Sequence, residues 1–73
     1  MFAQPVPDLE LAKKIIADKR PRSVGRAKKL LAMNGFQFDC EGFFLAGEPR
    51  GCHMYEIGPD PLSKTGFSIE RKD

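Results

Sequence analysis

The sequence predicts an α+β fold in which two N-terminal helices pack on one face of a three- to four-stranded antiparallel sheet. Three observations predict it. From Leu9 to Leu31 the apolar residues recur at three- and four-residue steps, the spacing of one buried helix face. From Phe36 onward they alternate every second residue or come in short bursts between glycine- and proline-rich turns, as strands do. The change of period falls at Asn34-Gly35, a combination that stops helices.

Each element has its own local cause. Met1 to Pro7 reads as an irregular, proline-punctuated lead whose Phe2 and Val6 lie either on the domain or free for a partner. Asp8 is a good N-cap, and Leu9, Ala12 and Ile16, flanked by Leu11 and Ile15, carry a helix to about Lys19. Glu10 precedes Lys14 by four residues, a pair that adds a few tenths of a kcal/mol, roughly 0.2–0.5. Pro21 ends this helix by pushing the residue before it out of the α region. Ser23 caps a second helix that begins at Val24. Its apolar stripe is Val24, Ala27 and Leu31, with Leu30 beside it, while Arg22, Arg26 and Lys29 line up on the solvent side. Gly35 tolerates the left-handed conformation that closes such a helix, and Phe36 is placed to fold back on Leu30 or Leu31.

Phe36, Phe38 and Cys40 alternate with Gln37 and Asp39, which predicts a first strand. Glu41-Gly42 is a turn, and Phe43-Phe44-Leu45-Ala46 predicts a second, more buried strand. Gly47 to Gly51 reads as a five-residue loop, and Cys52 to Ile57 as a third strand, broken by Gly58-Pro59-Asp60-Pro61. Thr65 to Glu70 is a short fourth strand and residues 71–73 a frayed end. The predicted core is Leu9, Ala12, Ile16, Val24, Ala27, Leu31, Phe36, Phe38, Phe43, Leu45, Met54, Ile57 and Phe67, with the inward choice between Phe43 and Phe44 open.

Seventy-three residues make one domain, 1–73, with a lead (1–7), a basic helical half (8–35) and an acidic sheet (36–70). Such a domain has a core worth only a few kcal/mol of net stability. With 41% apolar and 30% charged residues it is globular rather than disordered. No apolar run of about 18 residues spans a membrane, and Met1-Phe2-Ala3-Gln4 lacks the basic and apolar regions of a signal peptide. A cytoplasmic monomer is therefore expected. Two cysteines, Cys40 and Cys52, are too few for a disulfide framework in a chain this small and read as small core residues.

The net charge of +2 conceals an asymmetry. Residues 1–35 carry eight basic and three acidic side chains, net +5, and residues 36–73 carry four and seven, net −3. Six of the twelve basic residues, Lys19, Arg20, Arg22, Arg26, Lys28 and Lys29, lie within one stretch around the second helix. These six are the candidate partner-binding residues, because clustered cations attract an acidic protein surface or a nucleic-acid backbone.

Catalytic and metal chemistry find little support. His53 is the only histidine, and Cys40 and Cys52 are separated by eleven residues with no second ligand pair, whereas zinc takes four ligands, commonly in close pairs. Cys52 and His53 are adjacent on a predicted strand and point to opposite faces. The loop from Gly47 to Gly51 lacks the Gly-Lys-Ser/Thr ending of a phosphate loop. No enzyme, no cofactor and no metal are expected.

Two resemblances give the basic stretch a function. Leu11 to Ile16 followed by Ser23 to Ala27 resembles a helix-turn-helix, and the segment from Phe36 to Ile57 resembles the wing of a winged-helix DNA-binding protein. That implies a recognition helix with Arg22, Arg26 and Lys29 in or along the major groove, although the wing is acidic at Asp39, Glu41 and Glu48. The whole chain, in its length of 73 residues, its Met1 start, its basic helices ahead of a sheet and its lack of an enzyme constellation, is similar to small bacteriophage-encoded regulators that bind bacterial RNA polymerase. That resemblance implies a non-catalytic transcription regulator that blocks initiation by displacing σ factor, promotes read-through of terminators, or both. Nascent RNA or DNA would then lie near the basic helix. A structural or phage-assembly module with a merely solvated basic face is the third expectation.

Overall fold

The computed structural model describes residues 7–72, so the expectations for Phe2 and Val6 fall outside the described residues. Helix α1 spans Leu9–Lys19 and helix α2 spans Val24–Met33. Three strands follow, β1 (Phe44–Glu48), β2 (Gly51–Pro59) and β3 (Phe67–Arg71), in one antiparallel sheet of order β1-β2-β3. The fold is α+β, with the helices ahead of the sheet in sequence. Among the described residues no helix is long and apolar enough to cross a membrane.

Both helices start at the expected caps. The Asp8 carboxylate accepts from the Leu11 N–H at 2.7 Å, and the Ser23 hydroxyl accepts from the Arg26 N–H at 3.2 Å. Each satisfies one of the amides that a helix N-terminus leaves without a partner. Helix α2 closes in a Schellman arrangement. The Phe36 N–H donates to the Leu31 carbonyl at 3.1 Å and the Gly35 N–H to the Ala32 carbonyl at 3.2 Å, with Gly35 at φ +95°. Phe36 is buried as the apolar partner of that cap.

The first predicted strand is reduced to a single bridge between Phe38 and Phe44. The reason is Asp39, whose carboxylate accepts from both the Glu41 and Phe43 N–H groups at 2.9 Å and turns the chain. Phe36 and Phe38 alternate because both rings pack on Phe44, at centroid distances of 5.7 and 5.4 Å, and not because a ladder continues through them. Cys40 sits exposed in that turn, and Cys52 is exposed on β2, so neither is a core residue.

The predicted five-residue loop is also shorter. Glu48 pairs with Gly51, which leaves only Pro49 and Arg50 as the hairpin connection and draws Gly47 and Glu48 into β1. The same register sets Phe44 opposite Tyr55 and Ala46 opposite His53, and Leu45 opposite Met54 on the other face. Phe44, Ala46, Tyr55 and Ile57 are therefore the buried set, joined by Ala12, Ile15 and Ile16 of α1, Ala27 and Leu31 of α2, and Phe36. Of the expected core, Leu9, Val24, Phe38 and Phe67 pack half-buried against this set, Leu45 and Met54 are half-buried outside it, and of the open pair Phe43 and Phe44 it is Phe44 that is buried. Side chains alternate faces with a period of two, so Met54 cannot share a face with Ile57, whereas Tyr55 does.

The two sides of β1 explain how the helices are held. Helix α1 packs over β1 and α2 over β2. The free edge of β1 is occupied by the chain before α1 and after α2, since the Gly47 N–H donates to the Pro7 carbonyl at 2.9 Å and the Leu45 N–H to the Gln37 carbonyl at 3.1 Å. Pro7, in no helix or strand itself, is thus hydrogen-bonded to β1.

Candidate anion-binding groove

The α1–α2 junction follows from one residue in an unusual conformation. Arg20 ends α1 at φ 46°, ψ 61°, the left-handed region, with its N–H donating to the Ile16 carbonyl at 3.0 Å. An L-residue other than glycine, asparagine or aspartate visits that region at a cost of about 1 kcal/mol. Pro21 follows and Ser23 caps α2, so residues 20–23 alone join the two helices.

An open groove of about 640 Å³ lies at this elbow. Five of the six basic residues expected from the sequence line it: Lys19, Arg20, Arg22, Arg26 and Lys29. Lys19 comes from the last turn of α1, where a cation complements the helix dipole. Arg22 lies just before the Ser23 cap of α2, and Arg26 and Lys29 follow at helical spacing along the helix. No acidic side chain lines the groove, and none of the five makes an ion pair among the described residues.

Lys28 is placed elsewhere. It is half-buried, and its Nζ lies over the 39–42 turn, where a Cβ on Gly42 would stand only 2.7 Å from it. Its ammonium group therefore stands beside that turn and outside the lining of the groove.

The apolar part of the groove was not assigned to a site from the sequence. Leu30 and Met33 line it together with Pro21, and Met33 is 73% exposed. Residues 22, 26, 30 and 33 are three or four apart, so the signal was present in the spacing. It was masked because Leu30 also flanks the buried stripe of α2.

Other chemistry is sparse. Among the described residues no three of His, Cys, Asp and Glu converge as a metal site. His53 Nε2 stands 3.5 Å from Glu48 Oε2, with both side chains largely covered. The β1–β2 hairpin does not flank the basic groove. Gly47, Glu48 and Pro49 share a cleft with Asp8, Leu9 and Glu10, at the N-terminal end of α1, while Lys19 and Arg20 are at the other end, roughly 16 Å away along the helix.

No protein-family model, curated protein or solved structure matches this chain.

Proposed function

We propose that this domain is a non-catalytic regulator of transcription that binds bacterial RNA polymerase through the groove between α1 and α2. The observation that carries the proposal is the convergence of five cations on one open surface that no acidic side chain lines. Helix α2 has no acidic residue in its first turn and instead carries Arg22 just before the cap and Arg26 three residues after it. Cations at a helix N-terminus oppose the macrodipole by about 0.3–1 kcal/mol each. By contrast α1 obeys the electrostatic preference at both ends, with Glu10 first and Lys19 last. Charges kept where they destabilise their own helix point to a negative partner. The polymerase is the candidate partner because of the resemblance of basic helices followed by a sheet to small phage regulators.

A second proposal, binding of duplex DNA by α2, draws on the same open row of Arg22, Arg26 and Lys29. The position of the hairpin weighs against the winged-helix form of it, since the tip at Pro49-Arg50 lies at the far end of α1 and adds no contact beside the groove.

The test is surface-immobilised RNA polymerase, core and holoenzyme, titrated with the wild-type protein and with the double variant R22E/R26E, beside a gel shift on random duplex. A stoichiometric complex that the double variant weakens by more than about a hundredfold, while R50E leaves it unchanged, is the expected result. Equal binding by R22E/R26E removes the groove from the mechanism. A shift of duplex DNA with a steep salt dependence, and no polymerase complex, replaces the first proposal with the second.

A further inference from the structure

We infer that what the groove receives is an acidic peptide segment bearing one apolar side chain, not a nucleic-acid backbone; the inference rests on the groove being the docking surface. The lining is divided along α2. Arg22 and Arg26 stand at one end and Leu30 and Met33, with Lys29 beside them, at the other, with Arg26 and Met33 roughly 10 Å apart along the axis. A phosphate backbone matches the cations only. It has nothing to bury against a methionine that is 73% exposed. An acidic segment with an apolar residue about two helical turns from its carboxylates matches both halves, and the unbranched thioether of Met33 adapts to the shape of what it covers.

The rest of the lining agrees. Single-stranded nucleic acid is held by aromatic side chains that stack on bases, and base edges are read by arginine together with Asn, Gln, Ser or Thr. The groove contains no aromatic residue and no amide or hydroxyl side chain. It offers charge and apolar surface, which is the complement of an acidic amphipathic peptide.

Fluorescence anisotropy tests this with three labelled probes: a 16-residue Asp/Glu-rich peptide with a single leucine, the same peptide with that leucine changed to serine, and a 16-base-pair duplex. They are titrated with wild type, M33Q and R22E/R26E at physiological salt. The expected pattern is tightest binding of the leucine peptide by wild type, a loss of about tenfold on leucine-to-serine change, and a similar loss in M33Q for the leucine peptide alone. R22E/R26E should lose both peptides. If M33Q binds both peptides as wild type does while R22E/R26E loses them, the groove stands and the apolar contact is refuted. Tighter binding of the duplex than of either peptide refutes the peptide inference in favour of a phosphate ligand. Binding of none of the probes by wild type, or equal binding by R22E/R26E, refutes the groove itself.

Discussion

Arg26 is the third residue of α2, three after the Ser23 cap, where a glutamate would complete a capping box by reaching back to the Ser23 N–H. It would also replace a cation with an anion at the positive end of the helix. R26E is therefore expected to stabilise the fold by roughly 0.5–1 kcal/mol while weakening the groove. In a domain of this size that is an increase in Tm of about 2–8 °C, measurable by thermal circular dichroism. A fall in Tm would show that Arg26 has a structural role and that its charge is not held for a partner. Arg20 has the same character, because its left-handed backbone is one that glycine adopts without strain. Its arginine contributes to the groove what it costs the turn. Neither cost was visible in the composition, yet Arg26 was legible as a groove residue from its spacing with Arg22 and Lys29. The strain at Arg20 was not, because a backbone dihedral depends on where α2 must go.

The helices were legible as elements because their signals are local. Asp8, Ser23 and Gly35 each act within four residues through hydrogen bonds that any chain with those residues can make. The Gly35 cap gives a direct check. A Cβ at position 35 meets only Pro7 Cγ at 3.5 Å, an ordinary contact, so the cost of G35A is the backbone conformation alone. A destabilisation of about 1 kcal/mol, seen as a Tm lowered by roughly 4–8 °C, is the expected outcome; an unchanged Tm would mean that α2 ends in another way. The strands were less legible. Phe43-Phe44-Leu45-Ala46 is apolar throughout and carries no alternation from which to choose an inward face. The choice follows from the two-residue connection at Pro49-Arg50, which sets Phe44 against Tyr55, and shifting the register by one residue would exchange the two faces. On the outer face the register places Glu56 opposite Glu70, a repulsive pair that Lys72 relieves at 3.2 Å from Glu56.

At the scale of the molecule one ring holds the layers together. Phe44 is fully buried and its ring lies within 6.0 Å of those of Phe36, Phe38 and Tyr55, joining the α2 cap, the broken first strand and β2. Truncation of such a residue to alanine costs about 3–5 kcal/mol, comparable to everything a core of this size supplies. F44A should therefore lack a cooperative thermal transition, and a variant that still melts cooperatively near the wild-type Tm would show that the aromatic cluster is not what couples helices to sheet. The two helices, their caps, the fold class and the cluster of basic residues could all be read from the residues, because period, capping and charge act over a few neighbouring positions. The buried strand face, the departure of Lys28 from the cluster, the arrival of Leu30 and Met33 in it and the position of the hairpin tip away from the groove came from the packed fold. These depend on strand register and on the angle at which α2 leaves Arg20, and both are set by contacts between residues far apart in the chain.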